Sequence, residues 1–150
     1  MDGKIKVVTI GTARGVRADI DGVEYYFLYN GSSIFKIQDE FGPCVLPEEF
    51  SMNDREGAKN ILRVSELLTE SAAQACKEYH IDDVPVFRAK DKNEHNTMPY
   101  VYLALRKACA DAADIGYVRE IKGETEEVDL VLLKHQKKTG IQEPFTSKTE

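Results

Sequence analysis

Cysteine is scarce in this sequence. There are three, Cys44, Cys76 and Cys109, in 150 residues, an odd and widely spaced set. That excludes a disulfide framework and points to reduced thiols in a reducing compartment. Long hydrophobic runs are also missing. No stretch approaches the roughly 18 apolar residues that a membrane helix needs. The opening MDGKIKVVTIG has neither the length nor the small-residue cleavage pattern of a signal peptide. Together these absences predict a cytoplasmic protein. Positive charge is in short supply, with 20 Lys and Arg against 26 Asp and Glu and a net charge of −6. The cations are scattered rather than clustered, so the basic footprint that phosphate backbones require is lacking, and nucleic acid is not expected as a partner.

Catalytic and ligand-binding patterns are equally sparse. His80, His95 and His135 lie far apart, and no HxxxH, HExxH or CxxC spacing supports a metal site. No nucleophile elbow is present. Cys44, flanked by Pro43 and Pro47, is the one thiol expected at the surface, and Glu48 and Glu49 nearby would raise its pKa rather than activate it. The loop Gly11–Gly15, GTARG, follows a strand, but it lacks the third glycine and the following helix of a dinucleotide fingerprint. It reads as a plain hairpin connection. The pairs Glu48-Glu49, Asp82-Asp83 and Glu126-Glu127 are adjacent residues that do not face a common point, and they read as solvated surface. Tyr25, Tyr26 and Tyr29 have no basic companions and suit a packed hairpin better than a base-stacking platform. No catalytic, cofactor-binding or metal-binding residue is expected, and the chain reads as a non-enzyme.

What the sequence does contain is a folding pattern. With 42% hydrophobic and 31% charged residues, the chain fits one domain with its own core. Lys4–Ile10 and Val16–Ile20 alternate as strands. Asp21-Gly22 then supplies the two positive-φ positions of a type I′ turn. That turn sets Ile20 opposite Val23, Ala18 opposite Tyr25 and Val16 opposite Phe27, with these six side chains and Tyr29 on one core-facing side. The other side carries Arg17, Asp19, Glu24, Tyr26 and Leu28. Asp19 lies opposite Glu24, a like-charge pair that Arg17 can relieve. Tyr26 and Leu28 are apolar on a nominally wet face, so a helix or a partner must cover them.

Asn30–Ser33 offers N-caps for a helix with Ile34, Ile37 and Phe41 on one stripe, stopped by a left-handed Gly42 and by Pro43. Gly42–Asn53 is a connector. A long helix follows over about Asp54–Tyr79, with Ala58, Ile61, Ser65, Leu68, Ala72 and Cys76 in its stripe. Val84–Phe87 is extended and leads into a surface loop. Thr97 caps another helix, with Pro99 in its first turn and Val101, Ala104, Leu105, Ala108, Ala112 and Ile115 in its stripe, ended by Gly116. Tyr117–Ile121 is a strand or loop. A last helix is expected over about Thr125–Lys138, where Val128, Leu130, Val131, Leu132 and Leu133 are apolar on more than one face. Cys76 and Cys109 fall in alanine-rich helical patterns and are expected in the core. The expected fold is α+β: an antiparallel hairpin or small sheet at the start, packed against a helical remainder of about four helices. Residues 1–140 form one domain, and 141–150 a polar, disordered tail.

The hairpin DGVEYYFLYN, the helix ending IQDEFG and the long helix Ile61–Tyr79 resemble the N-terminal part of tail assembly chaperones of long-tailed phages and prophages. The resemblance covers roughly the first 80 residues and lies in element order and a few residue types. It implies a non-enzymatic role without cofactors: covering the tape-measure protein in the bacterial host cytoplasm while the tail tube polymerises. The implied partners are therefore the tape-measure and tail tube proteins. The residues that would meet a partner are Tyr26, Leu28, Val131, Leu132 and Leu133, which intrachain helices or a homo-oligomeric contact could equally cover. Two other readings remain open. One is a virion structural component of the tail or head–tail joint, and the other is a small enzyme assembled around Cys44, His80 and His95.

Overall fold

Two short turns shape the start of the chain. The computed structural model describes residues 5–42, 55–92, 96–117 and 124–139. Within them, β1 (Ile5–Ile10), β2 (Ala13–Ile20) and β3 (Val23–Phe27) form an antiparallel meander. Asp21 and Gly22 have φ of +53° and +84°, the two left-handed positions expected of the hairpin turn. The Asp19 carboxylate accepts the Gly22 N–H at 3.0 Å. The register is the expected one, with Val16 opposite Phe27, Ala18 opposite Tyr25 and Ile20 opposite Val23. Val23 departs from the core face, because it stands beside the turn and is exposed. Arg17 does relieve the Asp19/Glu24 pairing, with its guanidinium 3.0 Å from Glu24.

The GTARG loop is smaller than the sequence suggests. Only Gly11 and Thr12 form the turn, and β2 already begins at Ala13. Gly11 takes the left-handed φ of +64°. Gly15 lies inside β2, where an added Cβ would come within 2.3 Å of the Phe27 carbonyl oxygen. Gly15 thus serves the packing of the meander, whereas a Cβ at Gly11 would overlap the Tyr79 ring, so Gly11 lets that ring pack on the turn.

The largest departure is near the other end. Residues expected to open the last helix form a strand, β4 (Thr125–Asp129), which pairs in parallel with β1 and gives the sheet order β3-β2-β1-β4. The sheet is therefore mixed. The helix starts only afterwards, as α4 (Leu130–Thr139). The switch has a local cause: the Asp129 carboxylate accepts the Leu132 N–H at 3.0 Å, an N-cap bond. Apolar residues on several faces then make sense, since Val128 obeys the strand period and Leu130–Leu133 the helical one. Glu126, Glu127 and Asp129 leave this edge strand heavily acidic, which discourages pairing with another chain.

Helices occupy the middle. α1 (Gly31–Phe41) opens with a capping box, in which the Asn30 side chain accepts the Ser33 N–H and the Ser33 hydroxyl accepts the Asn30 N–H. It closes at Gly42, whose φ of +102° and ψ of 161° make it a positive-φ residue outside the left-handed helical region. α2 (Arg55–Lys77) is the central helix, and α3 (Pro99–Gly116) lies against it and against β2. The N-cap of α3 is Met98, whose side chain makes no capping bond, in place of the expected Thr97; Pro99 is in the first turn as anticipated.

Phe27, Leu67, Leu68 and Leu105 are fully buried in the main cluster between the sheet, α2 and α3. Each such side chain contributes on the order of 1.5–3 kcal/mol. A second cluster joins Val8, Ile10 and Leu28 to Ala72 and Cys76, with Leu130 of α4 against it. α2 therefore contributes to both cores. Cys76 and Cys109 are both buried, as expected.

Among the described residues no helix is long and apolar enough to cross a membrane. The connector between α1 and α2, the segment after Tyr117 up to residue 123 and the C-terminal tail lie outside the described residues.

Candidate functional site: a cleft beside the hairpin

Beyond α2 the chain turns sharply. His80 has φ of +61°; its N–H donates to the Lys77 carbonyl and the Ile81 N–H donates to the Cys76 carbonyl, each at 3.0 Å. This is a Schellman ending with His80 at the left-handed position, and the accompanying apolar contact is Ile81 in the same cluster as Cys76. His80 is therefore exposed at a helix end, serving backbone geometry. Asp83 takes a second positive φ, +63°, and Val84–Phe87 then runs back along α2 without strand pairing. It is held there by the Phe87 N–H, which donates to the Thr69 hydroxyl at 2.9 Å.

This path brings residues 81–85 beside the open face of the hairpin and the start of α4. Between them lies an open cleft of about 400 Å³. Its apolar lining is Tyr26 from β3, Ile81, Val84 and Pro85 from the turn segment, and Leu130 and Leu133 from α4. Asp82, Asp83 and Lys134 supply its charge, two carboxylates against one ammonium. Tyr26 is half-buried here, and burial, with Glu24 adding to it, pushes its hydroxyl above the ordinary tyrosine value. The hydroxyl therefore stays protonated at neutral pH and can donate a hydrogen bond from the cleft.

The residues singled out from sequence divide clearly. Tyr26 and Leu133, 107 positions apart in the chain (133 minus 26), meet in this cleft. Leu132, 53% exposed, and Val131, half-buried, are not in the lining of the cleft; with Leu130, Leu133 and Lys134 facing it, Leu132 falls on the opposite side of α4. Leu28 is corrected: at 1% exposure it is packed on Ala72 and Cys76 of α2 and has no surface to offer a partner. Sequence reasoning missed Ile81, Val84 and Pro85 as cleft residues, although it read Val84–Phe87 as extended; the apolar residues beside Asp82-Asp83 were the only signal.

The arrangement suits binding. Among the described residues, no group of three or more His, Cys, Asp or Glu side chains is placed to hold a metal ion. Cys44 and His95 lie outside the described residues, so of the three residues named for an assembled enzyme site only His80 is placed. Compared with known proteins, the chain matches no protein-family model, no curated sequence and no solved structure.

Proposed function

We propose that this chain is a non-enzymatic binding protein of the tail-assembly-chaperone kind, acting in a bacterial cytoplasm on the tape-measure protein of a long-tailed phage. One observation carries the reading: Tyr26 and Leu133, far apart in the chain, line one open cleft together with Ile81, Val84, Pro85 and Leu130. The resemblance of the hairpin and first helix to that family supplies the identity of the client.

The occupant that fits is an amphipathic client helix with an apolar stripe and a Lys or Arg beside it. The stripe would meet Tyr26, Leu130 and Leu133, and the cation would meet Asp82 and Asp83. A long helical client exposes such stripes repeatedly before assembly, and covering them prevents self-association.

Co-expression of the full chain with the tape-measure protein, followed by co-purification, tests the proposal. A stable complex is expected, weakened about tenfold or more by Tyr26→Asp or Leu133→Asp, as for central interface anchors. Circular dichroism and light scattering of each variant accompany the assay. Failure to bind any region of the tape-measure protein would sink the idea. So would a wild-type dimer that Leu133→Asp converts to monomer, because the cleft would then serve self-association.

A further inference from the structure

On another side of the molecule, α1, α2 and residues 86–88 enclose a second pocket of about 450 Å³. It differs from the first cleft in the sign of its charge. Its lining is mainly polar, and three of its side chains are cations from three separate elements: Lys36 of α1, Lys77 of α2 and Arg88. Glu70, the carboxylate in the lining, is engaged by Arg88 at 2.8 Å, and Arg88 also meets Glu66 at 3.2 Å, so the surplus positive charge is that of Lys36 and Lys77. Lys36 and Lys77 form no ion pair among the described residues. A net positive pocket on a chain of net charge −6 is a local reversal of the overall field.

Two further observations point to an anion. Ser71 lines the pocket and is 3% exposed, and its buried hydroxyl has no hydrogen-bond partner among the described residues. An unsatisfied buried hydroxyl is unfavourable and uncommon, and it calls for an explanation. Ser32, also in the lining, lies in the first turn of α1, an 11-residue helix with no acidic residue there. The positive end of that helix dipole, capped by the Asn30 side chain, thus has no carboxylate of its own first turn beside it, an arrangement that favours oxyanions.

We infer that this pocket binds a small phosphorylated anion. Lys36 and Lys77 would neutralise a phosphoryl dianion, and the Ser71 and Ser32 hydroxyls would donate to its oxygens. Among the described residues no aromatic side chain lines the pocket, and Val86 and Ala73 are its apolar members, so those residues offer a stacked nucleobase no platform. The ligand is either free phosphate or a compact phosphate monoester. The site is independent of the client cleft, and either proposal can fail without the other.

Isothermal titration of the full chain at low ionic strength, with inorganic phosphate and separately with glycerol phosphate, tests it. Submillimolar binding of at least one is expected. The Lys36→Gln/Lys77→Gln double variant should weaken it about tenfold or more, and Ser71→Ala severalfold. Tighter binding of glycerol phosphate supports a monoester, and equal or tighter binding of inorganic phosphate supports the free ion. Neither the double variant nor Ser71→Ala removes an apolar core side chain, and urea unfolding of the variants verifies that they remain folded. The inference is overturned by no heat of binding up to 10-fold above the millimolar range, by equal competition from chloride, or by undiminished binding in the double variant.

Discussion

The Thr69 hydroxyl accepts the Phe87 amide at 2.9 Å while donating back to its own helix at the Ser65 carbonyl, also at 2.9 Å. Both residues are buried. One side chain on α2 therefore satisfies the backbone of a segment with no secondary-structure partner, and that segment leads from the cleft beside the hairpin to the pocket lined by Lys36 and Lys77. Thr69→Val keeps the shape but leaves the Phe87 N–H buried and unpaired. It should destabilise the fold by about 1–3 kcal/mol, read as a lower urea midpoint with an unchanged slope. Thr69→Ser, which keeps the hydroxyl, should recover most of the loss.

Gly15 offers a test of the close approach between β2 and β3. A Cβ there would stand 2.3 Å from the Phe27 carbonyl oxygen and 3.3 Å from the Leu28 Cα, both backbone atoms that cannot swing aside. Gly15→Ala should therefore cost on the order of 1–3 kcal/mol by forcing the strands apart. Gly22→Ala meets no atom within 4 Å, and its cost arises only from its left-handed φ. Thermal melts of the two variants separate crowding from backbone strain: a Gly15→Ala protein as stable as wild type would refute the close approach.

The Asp-Gly turn, the capping box of α1 and the stripes of α2 and α3 were legible because each depends on neighbours a few positions away. Asp21-Gly22 fixed the register of Val16, Ala18 and Ile20 by local geometry alone. The parallel pairing of Val8 with Val128 was not legible, since it joins segments separated by three helices. The five residues TEEVD also carry too short a period to separate strand from helix. Asp129 was the readable clue, an N-cap residue standing directly before LVLL. The cleft illustrates the same limit. Tyr26 and Leu133 were each visible as apolar residues without a local explanation, but the positive-φ residues His80 and Asp83 steer Ile81, Val84 and Pro85 into place, and neither residue type announces that conformation. Leu28 misled because strand alternation puts it on the outer face, whereas α2 reaches past the end of β3 and covers it.

Glu40 and Arg63 link α1 to α2 through two parallel hydrogen bonds, the Arg63 Nε donating to Glu40 Oε1 at 2.8 Å and Nη2 donating to Oε2. The bond to Arg63 holds the Glu40 carboxyl below its ordinary value of 4.5. A carboxyl with a lower pKa in the folded than in the unfolded state stabilises the fold above its unfolded value, and that contribution is lost as the pH falls through the folded value. Glu40 is more than a third exposed, so solvent screening limits the pair to about 0.5–1 kcal/mol. At pH 7, Glu40→Gln should be less stable than wild type by that amount. The gap should close as the pH drops below 4.5, and a gap independent of pH would show that the ion pair is not its source.

Burial pushes the Cys76 thiol up to about 11 and the Cys109 thiol up to about 12, with the Ser65 hydroxyl, 3.4 Å from the Cys109 sulfur, pulling slightly the other way. At pH 8 a thiol with a pKa of 11 is ionised to about one part in a thousand, three pH units being three powers of ten. A Cys44→Ser variant should therefore show almost no reaction with Ellman's reagent when native and two reactive thiols in denaturant. Both folded-state values exceed the ordinary 9.0, so the unfolded chain ionises first. The stability tied to these thiols is complete below pH 9 and is lost as the pH rises toward 11 and 12. Stability of the Cys76→Ala/Cys109→Ala protein should accordingly fall less steeply than wild type above pH 9. Rapid labelling of the native Cys44→Ser protein at pH 8 would place at least one of these thiols outside the core.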